Sequence, residues 1–432
     1  MRRGRLISLY FASVGARQAF VLVSALLPWL FGRGEAQRAK LHDEVRRRFP
    51  LASVFSYTSA RGALAACLSA AKIGPGDEVL LSSFTCLAVP IAVMATGATP
   101  TYCDIDSRTL NVTVDSVLAS ITARTRAVVV QHTLGTVAPI EDIYHLLSER
   151  GILVIEDCAL AIGTRRHDRM TGSLGHAAIF SMELSKTISV GWGGILVVNS
   201  PKLARKVTNA YQGLQQLPIA TSVRMLVQAA ISGICYQPSI CWVAGYVVAI
   251  CFKAGFFKPS SPAAENLGAV TDNFVAKLAG PQAALGTHQW KRLDVIALSC
   301  EYNGTRIRRL LTKLGYVPLG SFDDDYFSVS PRVSFLVANR ASIMQWFSRR
   351  GVELGAWFDG PLSPLPEAAL FNYEKIHFRH ASFIADHIVN IPSHSRLASV
   401  DLEKIEVVLE EYASAHPEDL VFQRQLLGTS SH

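Results

Sequence analysis

From about residue 51 onward, short apolar runs alternate with amphipathic segments along the chain. The pattern predicts strands over residues 77–82, 99–103, 127–131, 152–155 and 195–198, and helices over residues 60–71, 85–97, 114–121 and 140–149. Strands that alternate with helices at this spacing indicate a parallel sheet with crossover helices. We therefore predict an α/β protein whose ligand binds beyond the carboxyl ends of the strands.

The pattern changes after about residue 291, which predicts a second domain. Residues 326–337 and 351–358 have the alternation typical of strands, and residues 401–413 have the periodicity of a closing helix. We predict three parts: an arginine-flanked apolar arm over residues 1–50, a large domain over 51–290, and a small α+β domain over 291–432.

Two apolar stretches do not fit this regular pattern. Residues 6–31 are interrupted by Arg17 and preceded by three arginines, and residues 225–252 carry no charge but contain Pro238 near their middle. The arm can be a signal peptide, an interfacial helix or a cover for the core. The second stretch, in an insertion over about 222–258, can be an interfacial hairpin, a core hairpin or an oligomer interface. Apolar helices with flanking cations are typical of interfacial attachment, so we predict a monotopic protein on the cytoplasmic face of a membrane.

Composition narrows the classes of function. Of 432 residues, 50% are hydrophobic and 18% are charged, which excludes disorder over most of the length. The net charge is +8, but no basic stripe interleaved with aromatic residues indicates nucleic-acid binding. Eight cysteines are scattered without the spacing of metal ligands, so we predict no metal site and a reducing compartment.

Three short segments carry candidate chemistry. Lys186 lies between Ser181 and a glycine-rich turn that precedes a predicted strand. An amine on such a loop can form a Schiff base with an aldehyde, although a solvated surface lysine remains the alternative. Asp157 ends a buried strand, where a carboxylate needs a cationic partner, a helix end or a salt bridge. The helix that opens near Ala60 and Arg61 offers backbone N–H groups to a phosphate.

Together these segments resemble the DegT/StrS sugar aminotransferases, which are fold-type I enzymes dependent on pyridoxal phosphate (PLP). The resemblance covers about residues 55–412 and includes, besides the segments above, Gly74-Pro75-Gly76-Asp77-Glu78-Val79, Ser83-Phe84-Thr85, Asp104-Ile105-Asp106, Glu156-Asp157, Gly172-Ser173-Leu174-Gly175, Gln282-Ala283-Ala284-Leu285-Gly286 and Asn390-Ile391-Pro392. It implies a large, mostly parallel α/β/α domain that binds PLP, a smaller C-terminal α+β domain, and a homodimer.

The resemblance also implies roles for individual residues. Lys186 corresponds to the Schiff-base lysine and Asp157 to the partner of the pyridinium nitrogen. Ser181 and the backbone at Ala60 and Arg61 correspond to phosphate ligands.

The chain departs from the family pattern at four positions around the cofactor. Leu160 replaces a usual Gln or His, Cys86 replaces the aromatic residue that stacks on the ring, and Trp192 replaces a Glu. Lys277 stands where the family places an Arg that reaches the phosphate of a neighbouring subunit. The Schiff-base and pyridinium positions are kept, which indicates an altered substrate.

The resemblance therefore implies an aminotransferase that moves an amino group from glutamate, or a similar donor, to a keto-sugar carried on a nucleotide or a lipid. Related dehydratases replace the Schiff-base lysine with His, so Lys186 favours transamination. Two alternatives remain open: a PLP enzyme acting on a lipidic ketone or aldehyde, and a non-catalytic, membrane-bound relative.

Overall fold

The structure is a computed structural model that describes residues 6–9, 16–235, 250–255, 257, 275–320, 325–364, 371–374 and 377–428. Its helices are α1 Ala16–Pro28, α2 Gly34–Arg46, α3 Ala60–Ala70, α4 Ala88–Met94, α5 Val114–Ser120, α6 Ile140–Ser148, α7 Pro201–Gln212, α8 Ile219–Cys235, α9 Gly280–Lys291, α10 Leu293–Lys313, α11 Arg340–Arg349, α12 Arg379–His387, α13 Ser399–Ala415 and α14 Pro417–Gly428. Its strands are β1 Ser53–Tyr57, β2 Glu78–Ser82, β3 Thr85–Cys86, β4 Thr99–Cys103, β5 Thr125–Gln131, β6 Leu153–Asp157, β7 Arg165–Arg166, β8 Arg169–Met170, β9 Ala177–Ser181, β10 Gly194–Val198, β11 Tyr326–Phe327, β12 Arg332–Leu336, β13 Leu362–Ser363 and β14 Ile388–Pro392.

A seven-stranded sheet forms the centre of the fold, in the order β1-β10-β9-β6-β5-β2-β4. The strands β9, β6, β5, β2 and β4 pair in parallel, whereas β10 is antiparallel to both of its neighbours. Parallel pairs need crossover connections, which the helices between these strands supply. The predicted α/β class with a mostly parallel sheet is confirmed.

Helices cover both faces of this sheet. Successive side chains on each strand point to opposite faces, so each buried strand contributes to the packing on both sides. Ala177 and Ile179 of β9 pack with α3 and α7 on one face. Ala178 and Phe180 of the same strand pack with α2 and α9 on the other. The predicted three-layer α/β/α arrangement is therefore observed around the central sheet.

The C-terminal residues build a separate buried cluster around the two-stranded sheet β12-β14, with side chains from α10, α11 and α13. Ile7, from the N-terminal arm, is buried in this cluster. The domain boundary near residue 290 stays a prediction.

Two strand predictions in this region differ from the structure. Residues 351–358 form no strand: Val352 makes one isolated bridge with Ile7, and Gly355 makes another with Asn390. The alternation there reports burial of Val352, Leu354 and Phe358 and no ladder of hydrogen bonds. The strand predicted over residues 326–337 is broken into β11 and β12, and the helix predicted over 85–97 begins only at Ala88, after β3.

The N-terminal apolar stretch forms a bent helix. Within the described residues one helical stretch, Arg17–Arg46, is long and apolar enough to cross a membrane by length and composition, and 22% of its most apolar part is buried. It is not one straight helix, because Phe31 and Gly32 leave helical geometry between α1 and α2. The predicted hairpin around Pro238, with Tyr236, Trp242 and Tyr246, lies outside the described residues, as do Arg2, Arg3 and Arg5.

Candidate active site

Two neighbouring parallel strands end at the same edge of the central sheet and deliver two predicted site residues. Asp157 is the last residue of β6, and Ser181 is the last residue of β9. In the register of this pair, Asp157 lies opposite Ile179. Both side chains are buried. The edge is the one at which parallel α/β sheets bind ligands, as the sequence predicts.

Lys186 lies on the loop between β9 and β10, and backbone hydrogen bonds join the two ends of this loop. The Met182 amide donates to the Gly193 carbonyl at 2.8 Å, and the Val190 amide donates to the Met182 carbonyl at 3.0 Å. From α9, Gln282 donates its side-chain amide to the Trp192 carbonyl at 2.7 Å. The motif that begins at Gln282 therefore supports this loop, a role that its sequence alone did not reveal.

The surroundings of Lys186 make its amine less basic than that of an ordinary lysine. Burial lowers its pKa, and the nearby Arg332 lowers it further against the opposing charges of Glu183 and Asp157. The nitrogen lies 4.9 Å from the centre of the Trp357 ring. Within the part of the chain that the structure describes, Nζ has no hydrogen-bond or ion-pair partner. A neutral, accessible amine is the nucleophilic form.

A backbone amide fixes the side chain of Asp157 at the end of β6. Its Oδ1 accepts a hydrogen bond from the Ala159 amide at 2.9 Å. Burial raises the pKa of Asp157, while the Ala159 hydrogen bond and the charge of Lys186 partly oppose this. A buried carboxyl of this kind is stabilised in its ionised form when a bound cation pairs with it.

The first turn of α3 forms another wall of the site. Ser59 caps the helix, since its hydroxyl accepts from the Gly62 amide at 3.1 Å. Gly194 allows the close approach, because a Cβ there would lie 2.3 Å from the Ser59 carbonyl carbon. Gly194 pairs with Ser181 across β9 and β10. The helix N-terminus, with its partial positive charge, is therefore fixed beside Ser181.

One cavity collects most of the predicted site residues. Its lining includes Ala60, Arg61, Cys86, Asp157, Ser181 and Lys186. Leu160 does not line it; this side chain is buried in a cluster with Phe84 and Ile105, and Ala159 lines the cavity in its neighbourhood. Trp192, noted as a departure from the family pattern, also lines the cavity.

Sequence reasoning missed Trp357, which reaches the cavity from the C-terminal part of the chain. Its backbone amide donates to the side-chain oxygen of Asn390 at 2.6 Å. The guanidinium of Arg332 lies 4.0 Å from the ring centre. The motif at Asn390 was the available signal, because it holds the Trp357 segment in place.

The carboxylate next to Asp157 has a different role. Glu156 accepts hydrogen bonds from the amides of Gly172, Leu174 and Gly175, at 2.7 to 2.8 Å, and from His132 Nε2 at 2.9 Å. Because His132 Nδ1 accepts from the Ala138 amide, its Nε2 carries the proton. Although burial alone raises the pKa of Glu156, these hydrogen bonds lower it overall. The acid holds the turn over residues 172–175.

His132, Glu156 and Cys158 form a compact buried group whose possible ligand atoms lie within 4.8 Å of one another. Both carboxylate oxygens and both ring nitrogens are engaged in the hydrogen bonds just described. Burial also raises the pKa of the Cys158 thiol, which disfavours the thiolate that binds metals. The group is therefore arranged as a hydrogen-bonded core cluster.

Lys277 is not among the residues that line this cavity. Its amine donates to the Gln212 carbonyl at 3.3 Å and lies 3.6 Å from a carboxylate oxygen of Glu35. Contact with a neighbouring subunit's phosphate, which the resemblance implies, stays a prediction.

The chain is similar in sequence to known sugar aminotransferases. The chain is 36% identical over 160 residues to a dTDP-4-dehydro-2,3,6-trideoxy-D-glucose 4-aminotransferase of Saccharopolyspora spinosa, covering 37% of this chain and 42% of that protein. It is 38% identical over 172 residues to a UDP-N-acetyl-3-dehydro-alpha-D-glucosamine 3-aminotransferase of Acidithiobacillus ferrooxidans, covering 40% and 47%. These alignments span less than half the length of either relative.

A crystal structure of an aminotransferase from Streptoalloteichus hindustanus superposes with a TM-score of 0.71 at 21% identity, covering 95% of this chain and 99% of that one. At that identity the likeness shows a shared fold. The model of the DegT/DnrJ/EryC1/StrS aminotransferase family matches residues 36–224 and 264–410, which is most of the chain. The chain therefore belongs to the DegT/DnrJ/EryC1/StrS aminotransferase family.

Proposed function

We propose that this protein is a PLP-dependent aminotransferase that moves an amino group from glutamate, or a similar donor, to a keto-sugar carried on a nucleotide. The observation that carries the proposal is the single cavity that brings together Lys186, Asp157 and Ser181. The names of the two relatives, which act on dTDP- and UDP-linked keto-sugars, support the choice of acceptor.

Members of this family are PLP-dependent. The chemistry of the cavity fits that cofactor. Lys186 offers an amine with a lowered pKa, and Asp157 offers a buried carboxylate that needs a cation. The N-terminus of α3 and Ser181 offer donors and partial positive charge to a phosphate.

When bound, PLP supplies the electron sink through which an amino group can leave the donor and join a ketone. Lys186 would hold the cofactor covalently and would accept and return a proton at Nζ. Asp157 would keep the ring nitrogen protonated, because its ionised form is stabilised by that charge. Ser181 and the first turn of α3 would hold the phosphate, and Trp192 and Trp357 would limit access of water.

The decisive experiment locates the covalent bond and the amino transfer separately. The purified protein is loaded with PLP, reduced with borohydride and digested, and mass spectrometry should find the cofactor on Lys186. In a parallel sample, glutamate should give one equivalent of 2-oxoglutarate per site. The Lys186→Arg variant, which keeps the charge, should give neither result. If the unsubstituted protein forms neither product, it is a non-catalytic relative.

A second acceptor class follows from the departures around the cavity. Trp192 replaces a Glu of the family pattern, and together with Trp357 it makes part of the lining aromatic, which favours a lipidic ketone or aldehyde. The two acceptors are separated by adding a dTDP-linked 4-keto-sugar or a long-chain ketone to the aminated enzyme. If the enzyme consumes only the long-chain ketone, the acceptor is a lipidic ketone and the proposal of a keto-sugar is wrong.

We propose further that the enzyme works as a homodimer attached to the cytoplasmic face of a membrane, so that an acceptor carried on a lipid is within reach. Support for attachment comes from the apolar helix α1, which leaves large side chains exposed. Light scattering should give the mass of two chains. Cell fractionation should place the protein with membranes, and recovery of the intact protein without detergent in the supernatant would contradict attachment.

A further inference from the structure

The helix α1 is amphipathic and only one of its sides is covered. Leu22, Ala25 and Trp29 are buried against the rest of the protein. The opposite side, together with the turn that follows, forms an α1 face of large exposed side chains: Phe20 at 72%, Val23 at 68%, Leu27 at 63%, Leu30 at 51% and Phe31 at 77%. A contiguous exposed apolar face of this kind marks an interaction surface.

A second apolar helix, α8, packs beside α1. Leu226 of α8 and Leu22 of α1 belong to the same buried cluster, so the two helices pack together. Val227 and Ile234 are exposed on α8. Ile250 and Phe252 are exposed on either side of Cys251, which belongs to one cluster with Cys235 at the end of α8. Most of α1 and α8 lies outside the residues that match the family model, 36–224 and 264–410. Two separate additions to the family fold thus pack side by side.

The charges on α1, on the turn that follows it and beside Phe252 are all basic. Arg17 and Arg33 are exposed near the two ends of α1 and its following turn, and Lys253 is exposed beside Phe252. Neither α1 nor α8 contains an acidic residue. A second copy of the chain would bring these cations against each other across a two-fold axis, which is unfavourable. An anionic lipid surface is complementary to them.

The length of α1 fits a helix that lies in the plane of the bilayer. Its 13 residues extend about 20 Å, less than the hydrocarbon thickness of about 30 Å. Beyond the kink at Gly32, Leu41 and Val45 of α2 are fully buried in the protein, so the helix cannot continue across the membrane. An amphipathic helix with flanking arginines is typical of the interface.

We propose that the α1 face, extended by α8, docks the enzyme on a bilayer that contains anionic phospholipid. This inference rests on the proposed membrane attachment and specifies its surface and its lipid. Docking also sets the position of the active site. Gly191 packs so closely on α8 that a Cβ at this glycine would lie 2.5 Å from the Ala229 Cβ. Its neighbour Trp192 lines the cavity, so the cavity lies one helix away from the lipid.

The test is flotation of the full-length, PLP-loaded protein with phosphatidylcholine vesicles and with equal mixtures of phosphatidylcholine and phosphatidylglycerol. The triple variant Phe20→Ser, Val23→Ser and Leu27→Ser should bind mixed vesicles about a hundredfold more weakly. The matched control is the triple variant Val295→Ser, Leu298→Ser and Val400→Ser. These side chains lie outside α1 and α8 and are 62%, 58% and 58% exposed, so this variant should bind like the unsubstituted protein.

A second variant tests the lipid class. Arg17→Gln with Arg33→Gln should lose about thirtyfold in affinity for mixed vesicles and little for phosphatidylcholine alone. Absorbance of bound PLP and thermal unfolding verify that each variant is folded, and 2-oxoglutarate formation from glutamate in solution should be unchanged in all of them.

The outcomes separate this inference from the proposed function. If the unsubstituted protein floats and the α1 variant floats equally well, the α1 face is not the docking surface. If the α1 variant instead changes mass in light scattering without losing flotation, a second copy covers the face. If the unsubstituted protein never floats, membrane attachment itself is wrong, whereas the aminotransferase proposal fails only if 2-oxoglutarate is absent.

Discussion

At the scale of single residues, the pKa values of the adjacent carboxyl groups of Glu156 and Asp157 are shifted in opposite directions. Burial raises the pKa of Asp157, whereas Glu156 has its pKa lowered by His132 and by backbone amides despite equal burial. The sequence predicted Asp157 because an acid at the end of a buried strand is conspicuous. It did not reveal the role of Glu156, because the amides of residues 172–175 and the ring of His132 meet it only in the folded chain.

The first prediction concerns Asp157→Asn. Because an amide cannot stabilise a protonated ring nitrogen by charge, turnover from glutamate should fall about ten- to hundredfold. Borohydride should still trap PLP on Lys186, since that amine is untouched. Stopped-flow kinetics measures the loss, and a pH titration of the bound cofactor's absorbance should shift in the variant. Turnover and titration like those of the unsubstituted enzyme would assign the ring nitrogen to another group.

The second prediction concerns Glu156→Gln, which keeps the shape of the side chain. One oxygen that now accepts two hydrogen bonds becomes a donor facing other donors, so the free energy of unfolding should fall by about 3 kcal/mol. Urea unfolding measures the change.

The same variant also has a pH signature. A carboxyl whose pKa is lowered on folding stabilises the protein at pH values above its ordinary pKa of 4.5. This contribution is lost as the pH falls from 4.5 through the lower pKa of the folded state. The unsubstituted protein should therefore lose stability steeply in this acid range, and the variant less steeply. Parallel stability curves for the two proteins would show that Glu156 does not carry this dependence.

At the scale of elements, the buried strands and the crossover helices were predictable because their hydrophobic periods are clear. The strands β4, β6 and β10 lie within two residues of their predicted positions. Residues 351–358 show where the pattern misleads: they alternate because one side packs on a core, but their backbone pairs through single bridges to distant segments. Periodicity reports which side chains are buried, and only the folded chain decides which backbone groups pair.

The third prediction tests how β10 positions the N-terminus of α3. In Gly194→Ala the new Cβ would meet Ser59 and Ala60 backbone atoms at 2.3 and 2.4 Å, which costs about 1 to 3 kcal/mol. The helix end must move from Ser181, so PLP should bind more weakly and the melting temperature should fall. Gly213→Ala is the control, because its nearest new contact is 3.8 Å away. Unchanged PLP affinity, measured by absorbance titration, would show that this contact does not set the phosphate site.

At the scale of the whole molecule, the features that the sequence could not predict are contacts between distant parts of the chain. Trp357 reaches the cavity of Lys186, and the motif at Asn390 matters because it fixes the Trp357 segment. The arm at residues 7–9 is attached to the C-terminal cluster: the Ile7 amide donates to the Gly351 carbonyl, and Ser8 donates to Glu353 at 2.7 Å. Thus the segment that precedes α1 in the chain is anchored in the C-terminal cluster, and α1 is followed by α2.

The last prediction tests this attachment with Ile7→Ala. Ile7 is 1% exposed within the C-terminal cluster, so the truncation should lower the free energy of unfolding by about 3 kcal/mol. The affinity for PLP should stay the same, because no residue of that cluster lines the cavity. Urea unfolding and absorbance titration measure the two quantities, and Leu51→Ala, at a side chain that is 97% exposed, is the matched control. If Ile7→Ala behaves like Leu51→Ala, the arm does not stabilise the C-terminal cluster and α1 is held only through α2 and its packing on α8 and α9.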